Sequence, residues 1–567
     1  MAKKKAAVKK KVAKSAAKRR TPAPAKRSVK TTRSRRRKAA SGDGVVVRMF
    51  CQGLGDCFLL SIPNGAGQSY HVLIDCGVCK AAETPEETMC DVVSQIHELT
   101  GGVVDVLIVT HEHWDHVSGF IQAESCFAFG TIKADAKDKT KLHIKRVWMA
   151  WTEDPRDKLA KELRADYGKA KLALANALAA VTERNAALGA ASLEAIKKGM
   201  EGILGVFGPG DMLTAAMKAA ASPKAKVGTQ EAMENAKKLV KGKGLKSMAY
   251  LRPGKTCQLP DAAAKSVAAD IKVRVLGPPH DAAAVRKLNS TKETYHKSGH
   301  SHFGGVPWAW TAALGGLGEF DPTTEAAMPF DDSWRIDLKA AEGDSFFKDR
   351  YFDAPPDVRA VPGINAADAP AVALEASKQR RIDGDWLARG AEQLALWINS
   401  YTNNVSLVLA FELPESGKVL LFVGDAQVGN WLSWHELKFK DEDNPDEEIT
   451  IQDLFARTVF YKVGHHGSHN ATLREKGLEL MTHPELVAML PVDHAQATTL
   501  SYGEMPLKSL VKAINERAAN RLLQLDEPWD DEPPGDWPPP MIPPTIGTRS
   551  ALGAKGVQYM EYVIADV

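Results

Sequence analysis

The feature that most constrains the fold is a short buried strand that ends in a cluster of metal-binding side chains. The apolar run at 106–109 has the length and the β-branched content of a buried strand. Imidazole and carboxylate groups directly after such a strand are costly as packing, but they are the ligands that divalent cations accept. Four such residues follow the strand: His111, His113, Asp115 and His116. In a tight turn, the first two side chains can point at one ion and the last two at a second.

Charge is unevenly distributed along the chain. Residues 1–44 contain 18 Lys or Arg against a single acid, a net charge of +17, whereas the remainder contains 56 Lys or Arg against 69 Asp or Glu, a net charge of −13. The basic segment has no apolar periodicity, so we predict that it is a disordered tail. This tail either binds the phosphate backbone of nucleic acid without sequence readout or is a tolerated, solubilising extension. The sequence favours the two interpretations equally. The residues that would carry nucleic-acid binding include Lys9, Lys10, Lys11, Arg35, Arg36 and Arg37.

Composition indicates the cellular compartment of the protein. Seven cysteines in 567 residues, without a secretion signal, are typical of a reducing compartment. The chain contains no run of about 18 apolar residues, so we predict no membrane span. No motif indicates an organic cofactor. We therefore expect a cytoplasmic protein, associated with the nucleoid if the tail holds DNA.

Strand and helix patterns outline a divided domain. Strands are predicted at 45–50, 57–63 and 71–74, followed by a helix at 85–99 with Thr84 as its N-cap and Glu87 as its capping-box acid. Later strands are predicted at 146–149, 271–276, 403–411, 418–423, 459–463, 486–492, 521–525 and 556–564. The predicted organisation is a first half of the domain at 45–154, a helical insertion at 155–250, return strands at 251–280, a loop-rich insertion or lid at 281–400, and a second half at 401–567.

Six motifs in order along the chain resemble the metallo-β-lactamase superfamily. They are G-L-G-D-C-F-L-L, L-I-D-C-G, T-H-E-H-W-D-H, N-N-V-S-L-V-L, V-G-D-A and K-V-G-H-H-G-S. The set is most similar to the ComEC-like branch, typified by a domain of the DNA-uptake competence protein. The resemblance implies an α/β fold, the αββα sandwich, here with a helical insertion and a long loop insertion. The transmembrane part of that competence protein has no counterpart here, so we do not expect an uptake channel.

The resemblance also implies a ligand set. His111 and His113 would hold one metal, Asp115 and His116 the other, and Asp425 would bridge the two ions. The next ligand is one of the pair His465 and His466; we favour His465, which sits nearest the strand end. β-Lactamases have a third histidine ahead of the Gly-Asp strand, where this chain has Thr402-Asn403-Asn404. The identity of the two divalent ions, zinc or manganese, therefore stays open. Three residues are expected to lie behind the ligands and hold them in place: Asp75, Asp56 and Asn404. A turn-forming role suits both aspartates equally well.

The implied chemistry is hydrolysis by metal-activated hydroxide. Asp115 is the expected catalytic carboxylate, and His466 and His469 are candidate donors to the leaving group. The leading hypothesis is a phosphodiesterase or nuclease. The alternatives are a hydrolase of a small ester, lactone or cyclic nucleotide, and a non-catalytic, DNA-associated metal-binding protein.

Overall fold

A computed structural model gives the architecture of most of the chain. It describes residues 44–130, 140–168, 228–240, 247–287, 338–352, 398–441, 447–500, 504–548 and 557–566, together with a few single positions between these ranges. The predicted basic tail, with Lys9, Lys10, Lys11, Arg35, Arg36 and Arg37, lies outside the described residues. So do much of the predicted helical insertion and most of the predicted lid.

The first half of the sequence contributes most of an eight-stranded sheet. Its strands follow the order β16-β17-β1-β2-β3-β4-β5-β6. The pairs β3–β4, β4–β5 and β5–β6 are parallel, and the remaining pairs are antiparallel. The bounds are β1 Val45–Phe50, β2 Phe58–Pro63, β3 Ser69–Ile74, β4 Val103–Val109, β5 His143–Ala150, β6 Met248–Leu251, β16 Thr545–Thr548 and β17 Val557–Ile564.

The second half contributes five strands of a seven-stranded sheet, whose order is β15-β14-β13-β10-β9-β8-β7. Here β10, β13, β14 and β15 run parallel, while β7, β8 and β9 form an antiparallel edge. A small ribbon of β11 and β12 lies apart from both sheets. The bounds are β7 Thr256–Gln258, β8 Lys272–Gly277, β9 Val408–Glu412, β10 Val419–Phe422, β11 Lys438–Lys440, β12 Glu448–Thr450, β13 Thr458–Lys462, β14 Val487–Leu490 and β15 Leu522–Gln524.

Buried apolar side chains arrange these elements in four layers. One cluster joins the inner faces of the two sheets, with Leu60 and Val72 from the first and Phe411 and Phe422 from the second. Two further clusters lie on the outer faces, where helices cover them. This is the α/β sandwich that the sequence predicts. The α-helices of the described part of the chain include Pro85–Thr100, Trp114–Val117, Gly119–Gln122, Thr229–Lys238, Val267–Asp270, Ala282–Val285, Leu338–Gly343, Ser345–Phe347, Val428–Trp434, Ile451–Ala456, His494–Thr499 and Lys508–Arg517.

Two local predictions differ from the structure. The first long helix begins at Pro85 as predicted, but the Thr84 side chain makes no capping hydrogen bond. The strand predicted from residue 403 begins at Val408, because residues 398–404 are helical. The side-chain amide of Asn404 donates to the carbonyls of Ala284, Val285 and Lys287, which anchors this helix end to the C-terminal end of the helix Ala282–Val285.

Within the described part of the chain, no helix is both long enough and apolar enough to cross a membrane.

Candidate metal centre

The carboxyl ends of four strands bring the candidate ligands to one rim of the sandwich. Asp75 follows β3, and the 111–116 cluster follows β4 in the same sheet. Asp425 follows β10, and the His465–His466 pair follows β13 in the other sheet. Because the parallel strands of each sheet end on the same side, residues far apart in the chain meet there.

Two groups of side chains at this rim have the composition and spacing of metal sites. The first, which we call the His116 group, consists of Asp56, His116, Asp425 and His466, and the second, the His111 group, of His111, His113 and Asp425. In each group one ligand atom per residue lies within 4.8 Å of the others. All members are buried. Asp425 belongs to both groups, so one carboxylate lies between them.

Asp75 orients the histidines of both groups. Its Oδ2 accepts a hydrogen bond from His116 Nδ1 at 2.8 Å and another from the Thr110 hydroxyl at 2.6 Å. That hydroxyl oxygen in turn lies 3.1 Å from His111 Nδ1 and can accept a hydrogen bond from it. Each ring is therefore held by Nδ1 and presents Nε2 to the rim, the arrangement by which outer carboxylates fix the tautomer of metal-binding histidines.

His466 reaches the first cluster across a separation of 351 residues. Its Nε2 lies 2.8 Å from Asp115 Oδ2, and its Nδ1 donates to the carbonyl of Pro491 at 2.6 Å. Asp115 Oδ2 also lies 3.9 Å from His116 Nε2. Asp115 is a member of neither group, but it contacts the histidines of one of them. We predicted His465 as the ligand of the pair, and the structure instead places His466 in the His116 group.

Three other predicted residues lie beside the groups or away from them. The ring of His465 is half-buried, with Asn403 Nδ2 at 3.2 Å from its Nε2 and Gln427 Nε2 at 3.5 Å from its Nδ1. Asn404 directs its amide to backbone carbonyls and its Oδ1 to the backbone N–H of Asn430, so its neighbour Asn403 is the asparagine that reaches the rim. His469 is exposed.

Lys462, which we did not single out from the sequence, is buried among the carboxylates. It is the last residue of β13 and forms ion pairs with Asp56 Oδ2 and, at 3.3 Å, with Asp425 Oδ1. It also donates to the Gly424 carbonyl at 2.8 Å. One signal was present: a lysine that ends an otherwise apolar strand must pair with an acid if it is buried.

The backbone around the centre adopts left-handed conformations that are unfavourable for residues other than glycine. Asp75, His465 and His466 have φ values of 56°, 44° and 51°, in the left-handed region. Such residues cost of order 1–3 kcal/mol each and concentrate at functional sites. Gly77 serves a different need, because a Cβ there would lie 2.5 Å from the Asp115 carbonyl oxygen. Only glycine lets this loop approach the ligand loop so closely.

Electrostatics divide the histidines into two kinds. Burial lowers the pKa of His113 to about 3 and that of His111 well below its usual value, so both are neutral at pH 7. Burial alone would lower the pKa of His116, but Asp425, Asp56 and Asp75 raise it well above its usual value. Burial alone would likewise raise the pKa of Asp425, but His116 and Lys462 hold it well below its usual value. The rim therefore combines the neutral His111 and His113 with a protonated His116 and an ionised Asp425, so a cation that binds to His116 must displace its proton.

The donor atoms at the rim fit divalent ions. His116 Nε2, Asp425 Oδ2 and Asp115 Oδ1 are buried and have no hydrogen-bond partner among the described residues. The first two lie 3.2 Å apart. Unpaired polar atoms in a protein interior are costly unless a ligand satisfies them. Nitrogen and oxygen donors that converge in this way match the ligand preferences of zinc and manganese.

The predicted helical insertion contributes to a cavity beside the His111 group. Tyr167 stacks on Tyr401 at 5.5 Å between ring centroids, and its hydroxyl lies 2.6 Å from that of Thr402. The cavity has a volume of about 110 Å³, and its lining includes Tyr167, Tyr401 and His111. This is smaller than the roughly 300–1,000 Å³ typical of small-molecule sites.

Replacement of Asp75 tests whether it orients the histidines. We expect Asp75→Asn to lower metal affinity about 10–100-fold, because the variant loses the charged acceptor that fixes His116 and Thr110. Isothermal titration of the metal-stripped protein with Zn²⁺ or Mn²⁺ measures this. Asp105→Asn is the matched control, since Asp105 accepts the His71 N–H in the same sheet away from the rim. Unchanged affinity in Asp75→Asn would assign Asp75 to turn formation alone.

Comparison with known proteins gives a match to one family model over part of the chain. A model of the metallo-beta-lactamase superfamily matches residues 53–145, which include Asp56, Asp75 and the 111–116 cluster. No curated protein matches the chain. Asp425 and His466 lie beyond the matched segment, and only the structure brings them to the same rim. The domain and the His/Asp groups together suggest a metal-dependent hydrolase. The chain is thus similar to the metallo-beta-lactamase superfamily over residues 53–145, and its candidate metal centre combines residues of that segment with residues of the second half of the sequence.

Proposed function

We propose that this protein is a metal-dependent phosphodiesterase that cleaves nucleic acid with two divalent ions, zinc or manganese. The observation that carries the proposal is the position of Asp425 in both ligand groups. A carboxylate shared by neighbouring sites is typical of two-metal centres, which recur in phosphatases and nucleases. His111 and His113 would hold one ion with Asp425. His116 and His466 would hold the other with Asp425. Asp115, which contacts His466 Nε2 at 2.8 Å, would join them in place of Asp56, which pairs with Lys462.

The chain's own residues would order and neutralise the reacting groups. When bound, the two ions would supply an activated water molecule and stabilise charge on a phosphoryl oxygen. Burial alone would raise the pKa of Asp115, but His116 and His466 hold it well below its usual value, so Asp115 is an ionised carboxylate that can bind a cation beside His466 Nε2, at 2.8 Å. Both ring nitrogens of His466 have partners. Of the two candidate donors, His466 is buried and His469 is exposed, so His469 is the one that a leaving group can reach from solvent.

Two features favour nucleic acid as the substrate. The motifs resemble the ComEC-like branch, whose domain is implicated as a DNA nuclease. The +17 charge of residues 1–44 suits a polyanion, which such a segment binds through its phosphates. The cavity beside His111, at about 110 Å³ among the described residues, also offers little room to enclose a whole small-molecule substrate.

A nuclease assay with defined metals tests the proposal. The full-length chain, stripped of metal and reloaded with Zn²⁺ or Mn²⁺, should cleave single- or double-stranded DNA oligonucleotides, and chelation should stop cleavage. Turnover of bis-p-nitrophenyl phosphate without DNA cleavage would favour the small-molecule hydrolase. A protein that takes up no metal under any of these conditions would favour the non-catalytic, DNA-associated alternative.

Deletion of residues 1–44 should separate DNA retention from catalysis. We expect about a hundredfold or greater loss of DNA affinity at 50 mM salt, because the deletion removes most phosphate contacts, and a much shallower salt dependence. Cleavage of short single-stranded oligonucleotides at saturating concentration should stay within about twofold of the full-length rate. Fluorescence anisotropy and a gel-based cleavage assay measure the two quantities. Equal DNA affinity with and without the segment would make it a tolerated extension.

A further inference from the structure

Lys462 is a buried cation whose hydrogen-bonding capacity is used within the rim. Its side chain is 2% exposed, and its ammonium group contacts three oxygens, of Gly424, Asp425 and Asp56. An ammonium group has three donors, so none is left for a substrate. A role for Lys462 must therefore act through the groups that it contacts.

The two oxygens of Asp425 have different surroundings. Oδ1 accepts from Lys462 Nζ at 3.3 Å and from the backbone N–H of His465 at 3.0 Å. Oδ2 accepts from neither of these donors and instead pairs with His116, whose Nε2 lies 3.2 Å away. The two donors on Oδ1 and His116 on Oδ2 together determine how the carboxylate is rotated about its Cβ–Cγ bond.

We infer that Lys462 is a positioning residue that rotates Asp425 so that a single oxygen, Oδ2, faces both ligand groups. The inference rests on the metal centre of the proposed function, and it concerns how that centre is assembled rather than what it cleaves. Asp56 has a defined place in this arrangement. Its Oδ2 pairs with Lys462 and holds the ammonium group against Asp425 from the other side.

Two rival roles predict different behaviour of the metal site. Lys462 could serve only to neutralise Asp56, in which case removal of both charges would leave metal binding intact. Its positive charge could instead oppose a nearby cation, in which case removal of Lys462 would tighten metal binding. Positioning predicts that metal binding weakens and stays weak when both charges are removed.

The test compares two variants that lack Lys462, Lys462→Met and Asp56→Asn/Lys462→Met, in the full-length, metal-stripped chain. Because Asp56 is itself in the His116 group, Asp56→Asn alone measures the contribution of its carboxylate to metal binding. The double variant leaves no unpaired buried charge at the Lys462–Asp56 pair, so we expect its melting temperature without metal to be closer to wild type than that of Lys462→Met. Isothermal titration with Mn²⁺ should show affinity at least tenfold weaker in both variants. Electron paramagnetic resonance at two equivalents of Mn²⁺ should show a spin-coupled pair in wild type and uncoupled ions in both variants.

Lys418→Met is the matched control. Lys418 is also buried in the sandwich and pairs with Glu485 at 2.7 Å, away from the rim. Its replacement should lower the melting temperature and leave the Mn²⁺ affinity unchanged.

Four outcomes would overturn the inference. Wild-type Mn²⁺ affinity in the double variant would show that Lys462 serves only to neutralise Asp56. Tighter Mn²⁺ binding by Lys462→Met would show that the positive charge of Lys462 repels the bound ion. A spin-coupled pair that persists in both variants would show that Asp425 orients without Lys462. Failure of the wild type to bind Mn²⁺ would refute the metal centre and this inference together. Wild-type protein that binds Mn²⁺ but cleaves no DNA would refute only the nuclease proposal.

Discussion

Asp425→Asn is expected to abolish turnover and to reduce the metal content of the chain by at least one ion. Asp425 is the only described residue common to both ligand groups, so its charge acts on both sites at once. Asparagine keeps the shape, and its amide oxygen can still accept from Lys462 and from the His465 N–H, so the local fold should persist. What is lost is the anionic oxygen that faces His116 Nε2 at 3.2 Å. We expect a fall in kcat of at least about 10³-fold, comparable to the loss of other groups that stabilise charge at a reaction centre.

Elemental analysis by mass spectrometry gives metal content per chain, and hydrolysis of bis-p-nitrophenyl phosphate or DNA gives the rate. Asp493→Asn is the matched control, because Asp493 caps the helix His494–Thr499 through a hydrogen bond to the Gln496 N–H and asparagine caps equally well. Near-normal turnover or full metal content in Asp425→Asn would remove Asp425 from the centre.

The second large effect is expected from the histidine pair. His466→Asn should lose one ion and at least about 10²-fold in kcat, because His466 Nε2 faces Asp115 while its Nδ1 is held by Pro491. His465→Asn should keep its metal content and stay within about tenfold of the wild-type rate, since His465 is in neither ligand group. Asparagine suits both positions because it tolerates the left-handed φ of 44° and 51° better than alanine.

The two variants control for each other, because they place the same substitution on adjacent residues of similar backbone conformation. Metal content, kcat and the melting temperature of the metal-free protein should be measured for both. Loss of an ion from His465→Asn with retention in His466→Asn would reverse the assignment and restore His465 as the ligand.

The first ligand cluster could be predicted because its geometry is local. A buried strand such as β4 ends on one side of its sheet, and the turn after it carries His111, His113, Asp115 and His116 within six positions. The same reasoning predicted Asp425, which follows the end of β10. It also led to the hypothesis that Asp75 orients ligands, a role that its hydrogen bonds to His116 and Thr110 support.

The choice between neighbours could not be predicted. His465 and His466 follow the same strand, and their ring centroids lie 6.2 Å apart. Proximity to the strand end favoured His465, but two consecutive left-handed residues turn the chain so that His466 enters the centre. Asn404 was likewise expected near the rim, where Asn403 lies, because a helix replaces the start of the predicted strand.

The sequence by itself determined the sandwich, the strand ends and the first four candidate ligands, since periodicity and short spacing act within a few residues of chain. The family resemblance implied that Asp425 is shared by the two sites, but only the tertiary structure decided that His466 meets Asp115 and that Lys462 joins Asp56 to Asp425. His466 and Asp115, like Lys462 and Asp56, are hundreds of residues apart in the sequence. Their geometry depends on how two sheets pack and how loops bend, which no local pattern encodes.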